Sequence, residues 1–170
     1  MRFIKDNLVL AFFGFYLASL VGIYNLHHFL LQKKVEEERR NCISNSEIFN
    51  RYAFIAVSSV INAEADSGDP MDMYMVGSTV LNRAENELFP SCLLDVVFQK
   101  GQYDGVHKNF TTTPVSDSIA SKLIVGMGRN RDVLFFYNYR TATDSKFIRL
   151  LERKYKLITV TKNHKFYGLR

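Results

Sequence analysis

Residues 8–26, LVLAFFGFYLASLVGIYNL, carry no charged side chain, and no other feature limits the fold of this chain so strongly. Wound as a helix at ~1.5 Å per residue, 19 residues approach the ~30 Å thickness of a hydrocarbon core. A cleavable signal peptide would have a shorter apolar region, about 7–15 residues, followed by an A-x-A-like site. The residues that follow, His27-His28-Phe29-Leu30-Leu31-Gln32, offer no such site. The expectation is therefore a short tail over residues 1–7 and an uncleaved transmembrane signal anchor over residues 8–26.

Gly14, Ala18 and Gly22 recur every four residues on one face of that helix. Such spacing permits close helix–helix approach and self-association, although small residues are common in membrane spans for other reasons. Charge on its own orients the anchor with the following domain inside. Arg2 and Lys5 precede the span while Lys33, Lys34, Arg39 and Arg40 follow it, so the positive-inside rule taken literally keeps the following domain in the cytoplasm. The motifs that the following domain carries nevertheless set the expectation that it lies on the extracytoplasmic side.

Residues 27–46 are rich in charge and lack a long apolar stripe, which reads as a solvated stalk. Residues 47–170 are then enough for one domain with a single core. The chain has a formal net charge of +5, but its Lys and Arg residues show no nucleic-acid-binding signature, and no nucleic-acid partner is expected. The four histidines do not pair with Cys or acids at ligand spacing and no phosphate-cradling glycine loop occurs, so neither a metal nor a cofactor is expected. The two cysteines, Cys42 and Cys92, can form one disulfide in an oxidising compartment; the alternative is two unpaired thiols.

Ser46 is a suitable N-cap, and Ile48, Tyr52, Ile55, Val60 and Ile61 follow at spacings near three and four, predicting a helix from Glu47 to about Ala65. After Gly68-Asp69-Pro70, Val76, Thr79, Val80 and Arg83 mark one side of a second helix, from Asp72 to about Asn86. A turn-rich loop at residues 99–105 precedes a third helix, from Ser116 to Met127 with Gly128 as C-cap. Val133-Leu134-Phe135-Phe136-Tyr137 and Leu157-Ile158-Thr159-Val160 read as strands. Helices followed by strands predict an α+β domain.

Glu64 is the candidate catalytic residue. Ile61-Asn62-Ala63-Glu64-Ala65 sets an acid at the end of an apolar helix among small neighbours. A partly desolvated carboxyl disfavours its charged form and moves toward the range useful to a general acid, as for the acid glutamate of lysozyme. A lone glutamate of this kind is more often a solvated helix-edge residue, so the flanking motifs decide.

Those motifs resemble the SleB-like cell wall hydrolase family of spore-cortex-lytic, bacterial and phage enzymes. The resemblance rests on Ala63-Glu64-Ala65 with Gly68-Asp69, then Val80-Leu81-Asn82-Arg83 and Phe89-Pro90. It continues through Asp95-Val96-Val97-Phe98-Gln99 with Gly101-Gln102-Tyr103, Phe136-Tyr137-Asn138 and His164-Lys165-Phe166-Tyr167. Tyr139 stands where the family has a proline, and the segment between Tyr137 and His164 is short.

The resemblance implies a lysozyme-like fold, a helical lobe plus a small antiparallel sheet. It also implies cleavage of the bond between N-acetylmuramic acid and N-acetylglucosamine in peptidoglycan, by a lytic transglycosylase with Glu64 as sole catalyst. Asp66, Asp69 and Asp104 are candidates for a second carboxylate, the latter two also readable as turn residues. Gln102, Tyr103, Tyr137, Asn138, His164 and Tyr167 are candidate substrate-binding residues, since amides, hydroxyls and rings suit sugars. The competing functions are a non-catalytic, membrane-anchored glycan-binding or assembly protein on the same fold, and a holin-like protein in which the span is the active part.

Overall fold

The computed structural model describes residues 21–31, 33–34, 46–65, 68–108 and 110–170. Two compact units emerge, residues 1–41 and 42–170. In the first, residues 21–31 are helical (α1). Residues 8–20 of the expected anchor, with Gly14 and Ala18, lie outside the described residues. Among the described residues no helix is long and apolar enough to cross a membrane.

The second unit opens with α2 (Ser46–Glu64), whose Ala53, Ala56, Val57, Val60 and Ile61 are buried at the three-and-four spacing of one helical face. Helix α3 (Pro70–Ala84) begins two residues before the expected start because Asp69 is its N-cap, the side chain accepting from the Met71 N–H at 3.1 Å, with Pro70 in the first turn. Short helices α4 (Leu93–Val97) and α5 (Asp104–Lys108) follow.

Helix α6 (Pro114–Ile124) also starts early, on a capping box between Thr113 and Ser116. It ends early too: Gly126 takes φ +84°, and the Met127 N–H reaches back to the Lys122 carbonyl at 2.8 Å, closing the last turn ahead of Gly128.

Helices α2, α3 and α6 meet at Gly77, where a Cβ would lie 2.5 Å from Leu123 Cδ1 and 2.8 Å from Ile61 Cδ1. Ser58, fully buried on α2, donates to Asp117 Oδ1 at 2.6 Å and lies 2.9 Å from the Ser116 hydroxyl. The same joint thus pairs its polar groups as it excludes water.

The sheet has the order β1-β3-β2, all antiparallel: β1 (Phe135–Asn138), β2 (Lys156–Val160) and β3 (His164–Gly168) at the centre. Helix α7 (Ser145–Lys154), capped by Asp144, lies between β1 and β2 in sequence and was not foreseen. Only Leu151 of α7 is buried, against Tyr137 and Tyr167. At Gly168 a Cβ would stand 2.0 Å from the Asp132 carbonyl oxygen, so no other residue fits there.

Candidate active site

Glu64 is the last residue of α2 and is half-buried; Ala65, 1% exposed, continues the helical hydrogen bonding through its N–H to the Ile61 carbonyl at 3.0 Å. Helix α5 presses on this end of α2. A Cβ on Gly105 would lie 3.1 Å from Ala63 Cβ and 3.4 Å from Glu64 Oε1. The small residues at 63 and 105 therefore let α5 pack closely against the end of α2 that carries the carboxylate. Asn62 donates its amide to both the carbonyl and the hydroxyl of Thr111 at 3.3 Å, tying the following loop to the same helix end.

Tyr103 stands next to this carboxylate electrostatically. Burial pushes its phenol above the ordinary value, the positive charge of Arg83 opposes that rise, and the negative charge of Glu64 adds to it. Its backbone takes φ +50°, the one positive φ outside glycine among the described residues. Arg83 holds the strained residue in place. One guanidinium nitrogen donates to the Tyr103 hydroxyl at 2.9 Å and to Gln102 Oε1 at 2.8 Å, while Nε donates to the Leu134 carbonyl at 2.8 Å. The guanidinium is flanked by the rings of Phe89, Tyr103 and Phe135, 5.1–5.7 Å from their centroids.

Asn82 makes the parallel attachment. Its amide donates to the carbonyls of Asn130 and Val133 at 2.8 and 2.7 Å, and its oxygen accepts from Arg129 Nε at 2.9 Å. The Asn82-Arg83 pair thus binds α3 to the approach of β1, and through Arg83 to the loop carrying Gln102 and Tyr103.

From Tyr103 a line of side chains runs inward. Its ring lies 6.2 Å from Phe136, which meets the His164 ring edge-on at 5.3 Å. His164 Nδ1 lies 2.8 Å from Asp72 Oδ2, both residues buried, and the Thr161 hydroxyl donates to the other oxygen of Asp72. His164 is thereby committed to holding β3 against α3.

Of the candidate sugar-binding residues, Gln102 and Tyr103 share the Arg83 clamp, and His164 joins them through Phe136. Tyr137 and Tyr167 point to the other face of the sheet, where their rings stack at 6.0 Å and the Tyr137 hydroxyl reaches Glu152 at 3.4 Å. Asn138 organises the turn after β1, its side chain accepting from the Arg140 N–H at 3.0 Å and its carbonyl from Ala142 at 2.9 Å. Tyr139 uses its N–H to extend the ladder to the Asn163 carbonyl at 3.1 Å, which a proline could not do.

Of the other acids, Asp69 caps α3, Asp104 is an exposed first residue of α5, and Asp66 lies outside the described residues. Cys92 is disulfide-bonded; Cys42 lies outside the described residues. Sequence reasoning left Asp72, Arg83 and Gly105 out of the site. Only Arg83 carried a signal, a charged residue in register with Val76 and Val80 on the buried side of its helix.

The family model described as Cell Wall Hydrolase matches residues 68–167, more than half of the chain. The chain belongs to the cell wall hydrolase family. That match covers the Asn82-Arg83 pair, the Tyr103 loop and all of the sheet but Gly168, and begins four residues after Glu64. Among solved structures, this cell wall hydrolase is similar to the catalytic domain of the germination-specific lytic transglycosylase SleB from Bacillus anthracis. The two are 19% identical with a TM-score of 0.61, over 74% of this chain and all of that one. The catalytic domain of the Bacillus cereus SleB protein is also similar, at 19% identity and a TM-score of 0.57, over 69% of this chain and 91% of that one. At this identity the likeness is one of fold, a helical lobe with a small antiparallel sheet. No match was found among curated proteins.

Proposed function

We propose that this cell wall hydrolase cleaves peptidoglycan glycan strands between N-acetylmuramic acid and N-acetylglucosamine, as a lytic transglycosylase with Glu64 as its single acid/base. The observation that carries the proposal is the half-buried Glu64 at the end of α2, close enough to the Arg83-held Tyr103 for its charge to act on that phenol. The resemblance to a fold whose Bacillus anthracis member is a lytic transglycosylase supports the reaction type.

In this scheme the Glu64 carboxyl gives its proton to the glycosidic oxygen as the bond from muramic C1 breaks. The resulting carboxylate then takes the proton of the muramic 6-hydroxyl, whose oxygen bonds to C1 and closes an anhydro ring. The proton returns to Glu64 and no water is consumed, so the second carboxylate of ordinary glycosidases is not required. Tyr103 and Gln102, fixed by Arg83, form the wall of the groove beside the acid. Residues 8–26 serve as the anchor, with the enzyme domain on the cell-wall side.

Replacing Glu64 by Gln keeps the shape and removes the transferable proton. Release of soluble muropeptides from sacculi is expected to fall by at least the ~10²–10⁴ typical of acid–base groups, with unchanged circular dichroism. Wild-type release by a folded E64Q variant would overturn the assignment. A folded, inactive wild type that still binds sacculi would favour the glycan-binding reading. Mass spectrometry of the wild-type products separates the two enzymatic outcomes: anhydromuramic ends mark a transglycosylase, reducing ends a hydrolase.

A further inference from the structure

The positive charge of this chain is concentrated. Residues 145–170 hold eight Lys and Arg side chains against one acid, Glu152. Glu152 is itself engaged, by the Tyr137 hydroxyl at 3.4 Å and Lys165 Nζ at 3.5 Å.

At ~100° per residue, α7 turns Leu151 and Ile148 inward and leaves Lys146, Arg149, Arg153 and Lys154 on an outward arc. Leu150 lies within that arc, 44% exposed, and Phe147 stands at its edge beside Lys154, 38% exposed. A cleft of about 730 Å³ runs along Lys146, Arg149, Leu150 and Arg153. A second, of about 560 Å³, is lined by Lys156, Leu157, Lys165 and Arg170. Glu152 borders both, so the cations of the helix and of the sheet edge form one continuous face.

We propose that this face docks on an anionic phospholipid surface. The seven cations of this face, all of the eight but Lys162, supply attraction to lipid phosphates, and Phe147 and Leu150 enter the headgroup boundary, where an apolar side chain among cations ceases to be exposed to water. A polyanion such as a phosphate-rich wall polymer would be held by the cations alone and gives no use to the two apolar side chains. Docking through this face does not depend on Glu64 or on the chemistry assigned to it.

The test uses the full chain, reconstituted in phosphatidylglycerol vesicles and, separately, in phosphatidylcholine vesicles. A membrane-impermeant amine-acylating reagent is applied and lysine modification is mapped by mass spectrometry. Exposed Lys100 and Lys122, outside the basic face, are the internal reference. Modification of Lys146, Lys154 and Lys156 relative to that reference is expected to fall about fivefold or more in the anionic vesicles, recovering at ~0.5 M salt. Leu150→Glu, at an exposed position, is expected to weaken that protection while lysis of purified sacculi stays unchanged. Equal modification in the two vesicle types would overturn the proposal. So would protection by soluble polyphosphate without protection by vesicles, which would move the face to a wall polymer.

Discussion

The helical lobe and the sheet lobe of residues 42–170 are held together by different chemistry. In the helical lobe, aliphatic and small side chains close against each other: Val57, Val60, Val76, Val80 and Leu123 are completely buried around the Gly77 contact. In the sheet lobe the packing is aromatic, with Phe135, Phe136, Tyr137, Phe166 and Tyr167 dividing between two faces. Its outer face is covered by one short helix that buries only Leu151.

The joint between the lobes is polar: Asp72 with His164, and Asn82 and Arg83 with the backbone of residues 130–134. Apolar burial supplies stability without direction, whereas a buried hydrogen-bonded charge is satisfied in one arrangement only. The comparison therefore assigns cohesion to the helical core and placement of the sheet to the joint.

The largest effect expected from breaking the joint is at Asp72. Asp72→Ala leaves the buried His164 ring without its partner and should destabilise the domain by about 3–5 kcal/mol, read by urea denaturation. A loss below ~1 kcal/mol would mean that the aromatic packing holds the sheet unaided. Arg83→Met is expected to cost about 2–3 kcal/mol, because the Leu134 carbonyl and the Tyr103 loop lose a charged donor. Its muropeptide release should fall further than the loss of folded protein explains, since Tyr103 is then free to leave its φ of +50°.

Leu151→Ala probes the outer face and should cost about 2 kcal/mol, the low end for a buried leucine, since a site under a single surface helix can collapse. The smallest effect expected is at Glu85, exposed and paired in a two-pronged contact with Arg129 at 2.8 Å. The hydrogen bond from Arg129 holds its carboxyl below the ordinary value of 4.5, with the charges of Arg129 and Arg131 acting the same way against some burial. A lowered carboxyl stabilises the fold above its unfolded value and loses that stabilisation as pH falls through the folded one. Glu85→Gln should accordingly cost less than ~1 kcal/mol at pH 7, a difference that shrinks as pH falls below the ordinary 4.5 and is gone once the folded carboxyl is protonated.

The sequence disclosed the helical lobe more fully than the sheet lobe, for a physical reason. Helices α2 and α3 are long, apolar and punctuated by Ser46 and by Asp69-Pro70, signals that stand in the local sequence even though α3 is buried nearly all round, and the start of α2 matches the Ser46 cap within one residue. Their neighbour α6 shifted because Thr113 and Pro114 outweighed the apolar spacing. In the sheet lobe, α7 presents mostly charge with one buried leucine, a pattern that reads as a linker until a sheet exists to receive Leu151.

The candidate site divides in the same way. Glu64 is marked by its small local neighbours, whereas the burial of Asp72 and Arg83 depends on partners 92 and 51 positions away. Tyr137 and Tyr167 were grouped with the sugar-facing residues because motif order cannot tell the two faces of a strand apart, and the stacking of those rings on the α7 side is a matter of register.

The order β1-β3-β2 also bears on how the enzyme comes into being. Neither β1 nor β2 pairs with the other; each waits for β3, which follows both along the chain. Until residues 164–168 have emerged, β1 is an unpaired edge of aromatic residues, His164 is not there to meet Asp72, and the Tyr103 loop has no finished sheet behind it. The slow, non-local closure of the sheet then becomes the final step of assembly. A growing chain therefore carries Glu64 and the Tyr103 loop without a finished sheet, and the domain is complete only once the central strand has paired with both neighbours.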